Sequence, residues 1–332
     1  MPKSKRIQNL DALKGVTIIL VMIGHCIVWN NMQDGIVYDA IKAIQMPLFM
    51  VVSGYTSGMM HNMDSYVLFR QKLGKRTIGY LVPFFTWIVI LHIKELPQEI
   101  IATLFQIDRG LWFLMTLFIL TVIMYTSMLI RDKTRFGKVG FLAVWGISAA
   151  LLLLQNRAGN GFLGAGFTIY YMPFYFGGYV ICKGYRLYRE KEAEHIKKHT
   201  NYLITLFVFL LFLFLVVRFD MIVANNKIEL LLQVLASIAG CLLCAQLVML
   251  IPNGKIKEFL SFVGKYTLEI YVLHYHFATI LGMQNRGLKL YSLPGIACVA
   301  ITFVLMSALT TGLIYIFKKF KITNLLLFGK LN

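Results

Sequence analysis

Apolar residues run along this chain in long uninterrupted blocks separated by short polar and basic segments, rather than in the alternation of half-buried strands. Several blocks exceed the roughly 18 residues that distinguish a bilayer-spanning helix from a buried helix of a soluble core. The pattern predicts ten spanning helices, at about 12–30, 41–60, 78–93, 111–130, 139–154, 167–182, 202–219, 229–251, 259–281 and 293–317. A transmembrane barrel is excluded because its strands would alternate, and in lipid only helices and closed barrels satisfy their own backbone. The fold class is therefore all-α, a polytopic helical membrane protein, read as one membrane domain over residues 1–332. The segment 183–201 reads as a charged loop too short to form a domain of its own.

Composition agrees: 58% of residues are hydrophobic and 14% charged, with a mean hydropathy of +0.70. Cytoplasmic loops accumulate Lys and Arg, so the basic clusters set orientation. With the N-terminus inside, 23 of the 33 Lys and Arg fall in inner segments and seven in outer ones. An even span number then puts both termini in the cytoplasm. The net charge of +18 is mostly this topology signal, and it gives no argument for nucleic acid. The first apolar run lacks a small-residue cleavage site and reads as an uncleaved insertion signal. All five cysteines lie in apolar runs, and Cys241-Leu-Leu-Cys244 has CxxC spacing without a loop or further ligands. Packing is the expected role of these thiols, and no metal is expected.

Against this background four segments carry polar groups that lipid does not favour. In the first, Asp11 and Lys14 stand three apart at the mouth of the first span, where they can pair, and His25 lies deep inside it. Eleven residues separate Lys14 from His25, about three helical turns and roughly 16 Å, so both face the same way. An ionisable group at that depth is a functional candidate by default, against the plainer reading of an imidazole satisfied by a neighbouring carbonyl. In the second segment, Gln45-Met-Pro-Leu-Phe-Met-Val-Val-Ser-Gly-Tyr, Pro47 and the pair Ser53-Gly54 suggest a kink or break beside a cavity, while Gly54 alone is explained by close helix packing.

The third segment places Arg70, Lys72, Lys75 and Arg76 within seven residues, followed by Tyr80. Such cations can grip phosphate, although positive-inside anchoring accounts for them as well. The fourth, Tyr266-Thr-Leu-Glu-Ile-Tyr-Val-Leu-His-Tyr-His, carries Glu269, Tyr271, His274 and His276 within the ninth predicted span. Counting from the cytoplasmic end puts His274 near the depth of His25, so the first and ninth helices are expected to face one another around a cavity. Trp112 opens the fourth span at the outer face, where an interfacial anchor is the plainer reading.

Taken together, these segments resemble the acyltransferase-3 family of integral membrane acyltransferases. The resemblance rests on the Lys14-to-His25 spacing within LDALKG…GH, the MPLFMVVSGY element, the basic cluster before the third span, LWFL at 111–114 and LEIYVLH ending at His274. The family usually has Arg at the position of Lys14, and its Arg-x-x-Arg element survives as Lys72-x-x-Lys75 beside Arg70 and Arg76. The resemblance implies transfer of an acyl group, most often acetyl from cytoplasmic acetyl-CoA, to a hydroxyl of a cell-envelope or exported carbohydrate, by an enzyme of the inner (cytoplasmic) membrane.

Under that reading His25 is the base, supported by Lys14, Asp11 and Glu269; Arg70, Lys72, Lys75 and Arg76 hold CoA; and Ser53, Trp112, Tyr271 and His274 meet substrate. A neutral imidazole suits the task, since it can take a proton from a hydroxyl at physiological pH. Direct attack on the thioester and an acyl-His25 intermediate are both open. The expected partners are acyl-CoA, a carbohydrate acceptor and the bilayer, with room for a homo-oligomer. The alternative from another class is a transporter or glycan-exporting permease, and a third is a sensor or scaffold that keeps the fold without the chemistry. Glu269 as the lone deep carboxylate counts against an ion-coupled carrier.

Overall fold

The protein is described by a computed structural model that covers residues 3–33, 35–60, 62–159, 161–191 and 198–330. The described residues form thirteen α-helices and three short 3-10 turns joined by loops, with no strand among them. Two compact units, Met1–Ser53 with Lys183–Ile314 and Gly54–Cys182 with Tyr315–Asn332, divide the chain, and the division passes within three helices.

The first unit holds α1 (Lys3–Val28), the leading part of α2 (Ile36–Gly58), α8 (Lys198–Arg218), α9 (Lys227–Leu250), α10 (Lys255–Lys265), α11 (Thr267–Leu273) and most of α12 (Leu293–Phe317). Its most extensive contact joins α1 to α10. That approach depends on two glycines: a Cβ on Gly15 would lie 2.0 Å from the Leu260 carbonyl oxygen, and one on Gly264 would lie 1.8 Å from that of Asp11. Ser261 Oγ donates to the Gln8 carbonyl at 3.0 Å across the same contact. Helix α9 is capped at its start: the Asn226 side chain accepts from the amides of Ile228 and Glu229, and Glu229 accepts from the amide of Asn225, the residue before the cap. Its apolar face joins α8 and α2 in a core of Leu48, Val52, Phe212, Leu215, Ala236 and Cys244.

In the second unit lie the rest of α2, α3 (Tyr66–Leu91), α4 (Leu96–Phe105), α5 (Trp112–Lys133), α6 (Gly137–Arg157), most of α7 (Ala165–Lys191) and α13 (Lys321–Phe328). Helix α5 packs against both α3 and α6. The Arg131 guanidinium clamps Asp132 and also donates to the Tyr179 hydroxyl, while Asp132 accepts the Met63 amide at 2.6 Å. Outward-facing residues such as Leu151, Phe207, Val304 and Leu309 are apolar yet exposed, which is the surface of a protein solvated by lipid rather than water.

Among the described residues, six helices are long and apolar enough to cross a bilayer: 8–28, α2, α5, α6, α9 and α12. Three of the ten expected spans look different, each for a physical reason. Helix α3 takes in the whole basic cluster in its first turns, whereas α8, Lys198–Arg218, lies where the seventh span is expected. Helix α7 runs on to Lys191, and α8 starts at Lys198, so most of the expected loop 183–201 is helical; residues 192–197 lie outside the described ones. The expected ninth span is not one helix: α10 ends at Lys265, Tyr266 leaves helical geometry at φ −108° and ψ 16°, and α11 is followed by a 3-10 turn, His274–Phe277. Helix α10 carries Lys255, Lys257, Glu258 and Lys265, too many charges for a lipid-buried helix, and the low helical propensity of Gly264 falls beside the break. No break occurs in α2, where Pro47 lies within a continuous helix.

Candidate active site

The first unit brings together the residues expected to do the chemistry. Helix α1 carries His25 into contact with the 3-10 turn after α11, where His25 Nδ1 lies 2.7 Å from His274 Nε2. The ring centroids are 4.8 Å apart with 18° between planes. That separation is nearly the sum of two ring radii and the N···N contact, so the rings meet edge to edge, with nitrogens aimed at each other. The other nitrogen of His274, Nδ1, is 2.8 Å from the Ile270 carbonyl oxygen. His274 is completely buried, whereas His25 keeps a partly open face.

Two clamps on α1 bracket this contact. Below it is the glycine-mediated packing on α10; above it, buried Asn30 donates from Nδ2 to the Cys26 carbonyl at 2.8 Å and to the Ala278 carbonyl at 2.9 Å. The second bond ties the end of α1 to the residue that follows the 3-10 turn. Asn30 was not singled out in the sequence; a carboxamide five residues beyond His25, at the end of an apolar run, was the available signal. Gln45 is a second such residue: it is buried, and its Oε1 comes so close to Gly24 that a Cβ there would lie 2.8 Å away.

The remaining expected residues of this unit divide. Lys14 Nζ and Asp11 Oδ1 pair at 3.3 Å, partly exposed, near the glycine contact with α10. Glu269 is fully buried on α11, one residue before Ile270. Tyr271 is buried as well, its ring 6.2 Å from that of His274, so both residues expected to meet substrate on α11 and the turn after it, Tyr271 and His274, are packed inside. Ser53 is half-buried within α2.

In the second unit the basic cluster separates by environment. Arg70, Lys72 and Lys75 are exposed, whereas Arg76 is half-buried, donating from Nε to the Tyr125 hydroxyl at 3.3 Å and from Nη1 to the Tyr80 hydroxyl at 3.2 Å. A further buried network lies in this unit, where the Tyr175 and Ser57 hydroxyls are 2.8 Å apart and Thr121 Oγ1 is 3.4 Å from the same phenol. Trp112 stacks on Phe167 and Tyr171 at centroid distances of 4.7 and 5.5 Å. No group of three or more His, Cys, Asp or Glu among the described residues is arranged to hold a metal ion.

Comparison with known proteins decides the family at this point: residues 7–317 match the model of the acyltransferase domain. The chain belongs to the acyltransferase-3 family. It is similar to the nodulation protein NolL of Mesorhizobium japonicum, 29% identical over 159 residues, which is 43% of this chain and 39% of that protein. Similarity to the NolL of Sinorhizobium fredii is 30% over 122 residues, about a third of each chain. The chain thus spans well under half the length of these curated relatives. No solved structure matches it. Family membership and the exposed apolar helices mark this acyltransferase-3 member as a membrane protein.

Proposed function

We propose that this membrane acyltransferase moves an acetyl group from cytoplasmic acetyl-CoA to a hydroxyl of an envelope or exported carbohydrate, with His25 as the base. The observation that carries the reading is the imidazole pair of His25 and His274, within residues that match the family. The partly open ring of His25 takes the hydroxyl proton, the oxygen attacks the thioester carbonyl, the C–S bond breaks, and the CoA thiolate takes up the proton from His25. The same ring is open to the second route, in which His25 itself carries the acyl group before the acceptor does. Arg76, its guanidinium held by the Tyr125 and Tyr80 phenols, is proposed to meet a phosphate of CoA, with the exposed Arg70, Lys72 and Lys75 adding charge to the same end of α3. Ten crossings, cytoplasmic termini, a location in the cytoplasmic membrane and one functional unit over the whole chain belong to the same proposal. The carbohydrate acceptor is the part of this proposal that rests on the resemblance to the family alone.

The test is protein reconstituted in vesicles with labelled acetyl-CoA and candidate oligosaccharides. Label should pass to the sugar with release of CoA, and His25→Ala should reduce the rate by about 10²- to 10⁴-fold, the usual contribution of general acid–base catalysis. Transfer at the wild-type rate by purified His25→Ala removes His25 from the chemistry. Sugar flux across the bilayer without donor consumption replaces the enzyme reading with the permease.

A further inference from the structure

His274 and the Ile270 carbonyl form a one-way chain of hydrogen bonds that ends at His25. A carbonyl oxygen can only accept, so the 2.8 Å contact requires a proton on His274 Nδ1. In a neutral His274 this leaves a lone pair on Nε2, aimed at His25 Nδ1 at 2.7 Å, and the proton of that contact resides on His25. His25 Nδ1 is then the protonated nitrogen and His25 Nε2 the bare one. We infer that His274 is the positioning residue of the acyl-transfer site, holding His25 in the tautomer whose Nε2 lone pair receives the acceptor's proton or attacks the thioester. The inference rests on the proposed role of His25 and adds which nitrogen acts and what keeps it so.

Three features beyond the two distances support the chain. First, its exposed end is the reactive one: His274 is fully buried and His25 is not, so the relay is anchored inside and open only where substrate arrives. Second, the carbonyl anchor lies on α11 one turn before His274, and the 3-10 turn holds the His274 ring over it. Third, the direction of the bonds suits the reaction. When His25 Nε2 takes a proton, the resulting imidazolium keeps its Nδ1–H on a strong neutral acceptor, and the Ile270 carbonyl dipole stabilises the polarised His274 behind it. Breaking the thioester returns the Nε2 proton to the thiolate, so His274 ends each cycle with the proton it began with.

The measurement is nitrogen NMR of the membrane-embedded protein labelled with 15N-histidine, with the His25 resonances identified among the seven histidines by their absence from His25→Ala. Resting wild type should show His25 protonated at Nδ1 and bare at Nε2. In His274→Leu the protonated nitrogen of His25 should shift to Nε2, and kcat should fall by roughly 10²-fold or more with little change in KM for the donor, because a wrong tautomer spoils the base and not the binding. His274→Gln, whose side-chain oxygen reaches the position of Nε2 as an acceptor, should restore much of kcat and the original tautomer. Wild-type His25 protonated at Nε2 overturns the inference whatever the activity. So does a His274→Leu enzyme with wild-type kcat while His25→Ala is inactive. A fully active His25→Ala would instead remove the proposed role of His25, a separate failure, since the NMR result still decides whether the chain of bonds exists.

Discussion

Asn30 illustrates how much one side chain can fix. Its amide nitrogen serves two carbonyls from different parts of the chain, those of Cys26 and Ala278, and a carboxylate of the same shape has no proton to give either. Asn30→Asp should therefore cost about 3 kcal/mol or more, the effect of setting a buried charge against two acceptors, and the loss should appear as a lower melting temperature of purified protein. Glycines make a second contrast. Gly54→Ala would put a Cβ 1.8 Å from the Tyr175 carbonyl oxygen, a backbone atom that cannot swing away, whereas nothing lies within 4 Å of a Cβ on Gly74. The first substitution should destabilise by about 1–3 kcal/mol, and the second should stabilise by roughly 0.5–1 kcal/mol through helix propensity; thermal melts of the two variants in detergent check both. At this scale the sequence was informative where a residue was out of place in lipid, as His25 and His274 were. It was silent on Asn30, because an asparagine at the end of an apolar run looks like an ordinary cap until its distant acceptor is known.

Helix α1 and α10 meet through backbone, and the consequence is cooperative. Gly15→Ala and Gly264→Ala each push the two helices apart by about the same distance, so once one is made the other has less left to disturb. Each alone should cost about 1–3 kcal/mol, and the double variant should cost clearly less than their sum, a deficit measurable by a double-mutant cycle. Along α3 the expectation is uneven: Arg76→Gln, which strips a guanidinium from two phenols, should raise the KM for acyl-CoA about tenfold, while Arg70→Gln, on an exposed side chain, should leave it within about twofold. Steady-state kinetics separate these. The order of the helices was legible from hydropathy, and the meeting of the first helix with the ninth apolar segment from the matched depths of His25 and His274, though the expected cavity between them was not something depth could show. The break at Tyr266 was not, since a window of average hydropathy reads through a single non-helical residue. The separation of Arg76 from its neighbours was hidden too, because its tyrosine partner Tyr125 is 49 positions away.

For the molecule as a whole, the five thiols offer a silent background. All are buried and none forms a disulfide, so a membrane-impermeant maleimide should leave intact wild type unlabelled. A cysteine placed at Lys72, on the side proposed to be cytoplasmic, should label only after the vesicles or cells are opened; labelling of sealed cells would reverse the proposed orientation. The helical membrane class was evident from composition and run length, while the division of contacts into two units, which passes within α2, α7 and α12, leaves no mark in hydropathy because the helices it crosses are continuous. The pairing of His25 with His274 also sets a timetable. The two rings are 249 residues apart in the chain, and a ribosome adding about 5–20 residues per second needs roughly 10–50 s to cover that distance. Throughout that interval the first helix lacks the ring that His25 meets in the folded protein, and under the proposed mechanism a chain arrested before residue 274 carries the base without its positioning partner. On the proposed relay, acyl transfer waits for His274, so a chain truncated before that residue should transfer no acyl group even though it contains His25.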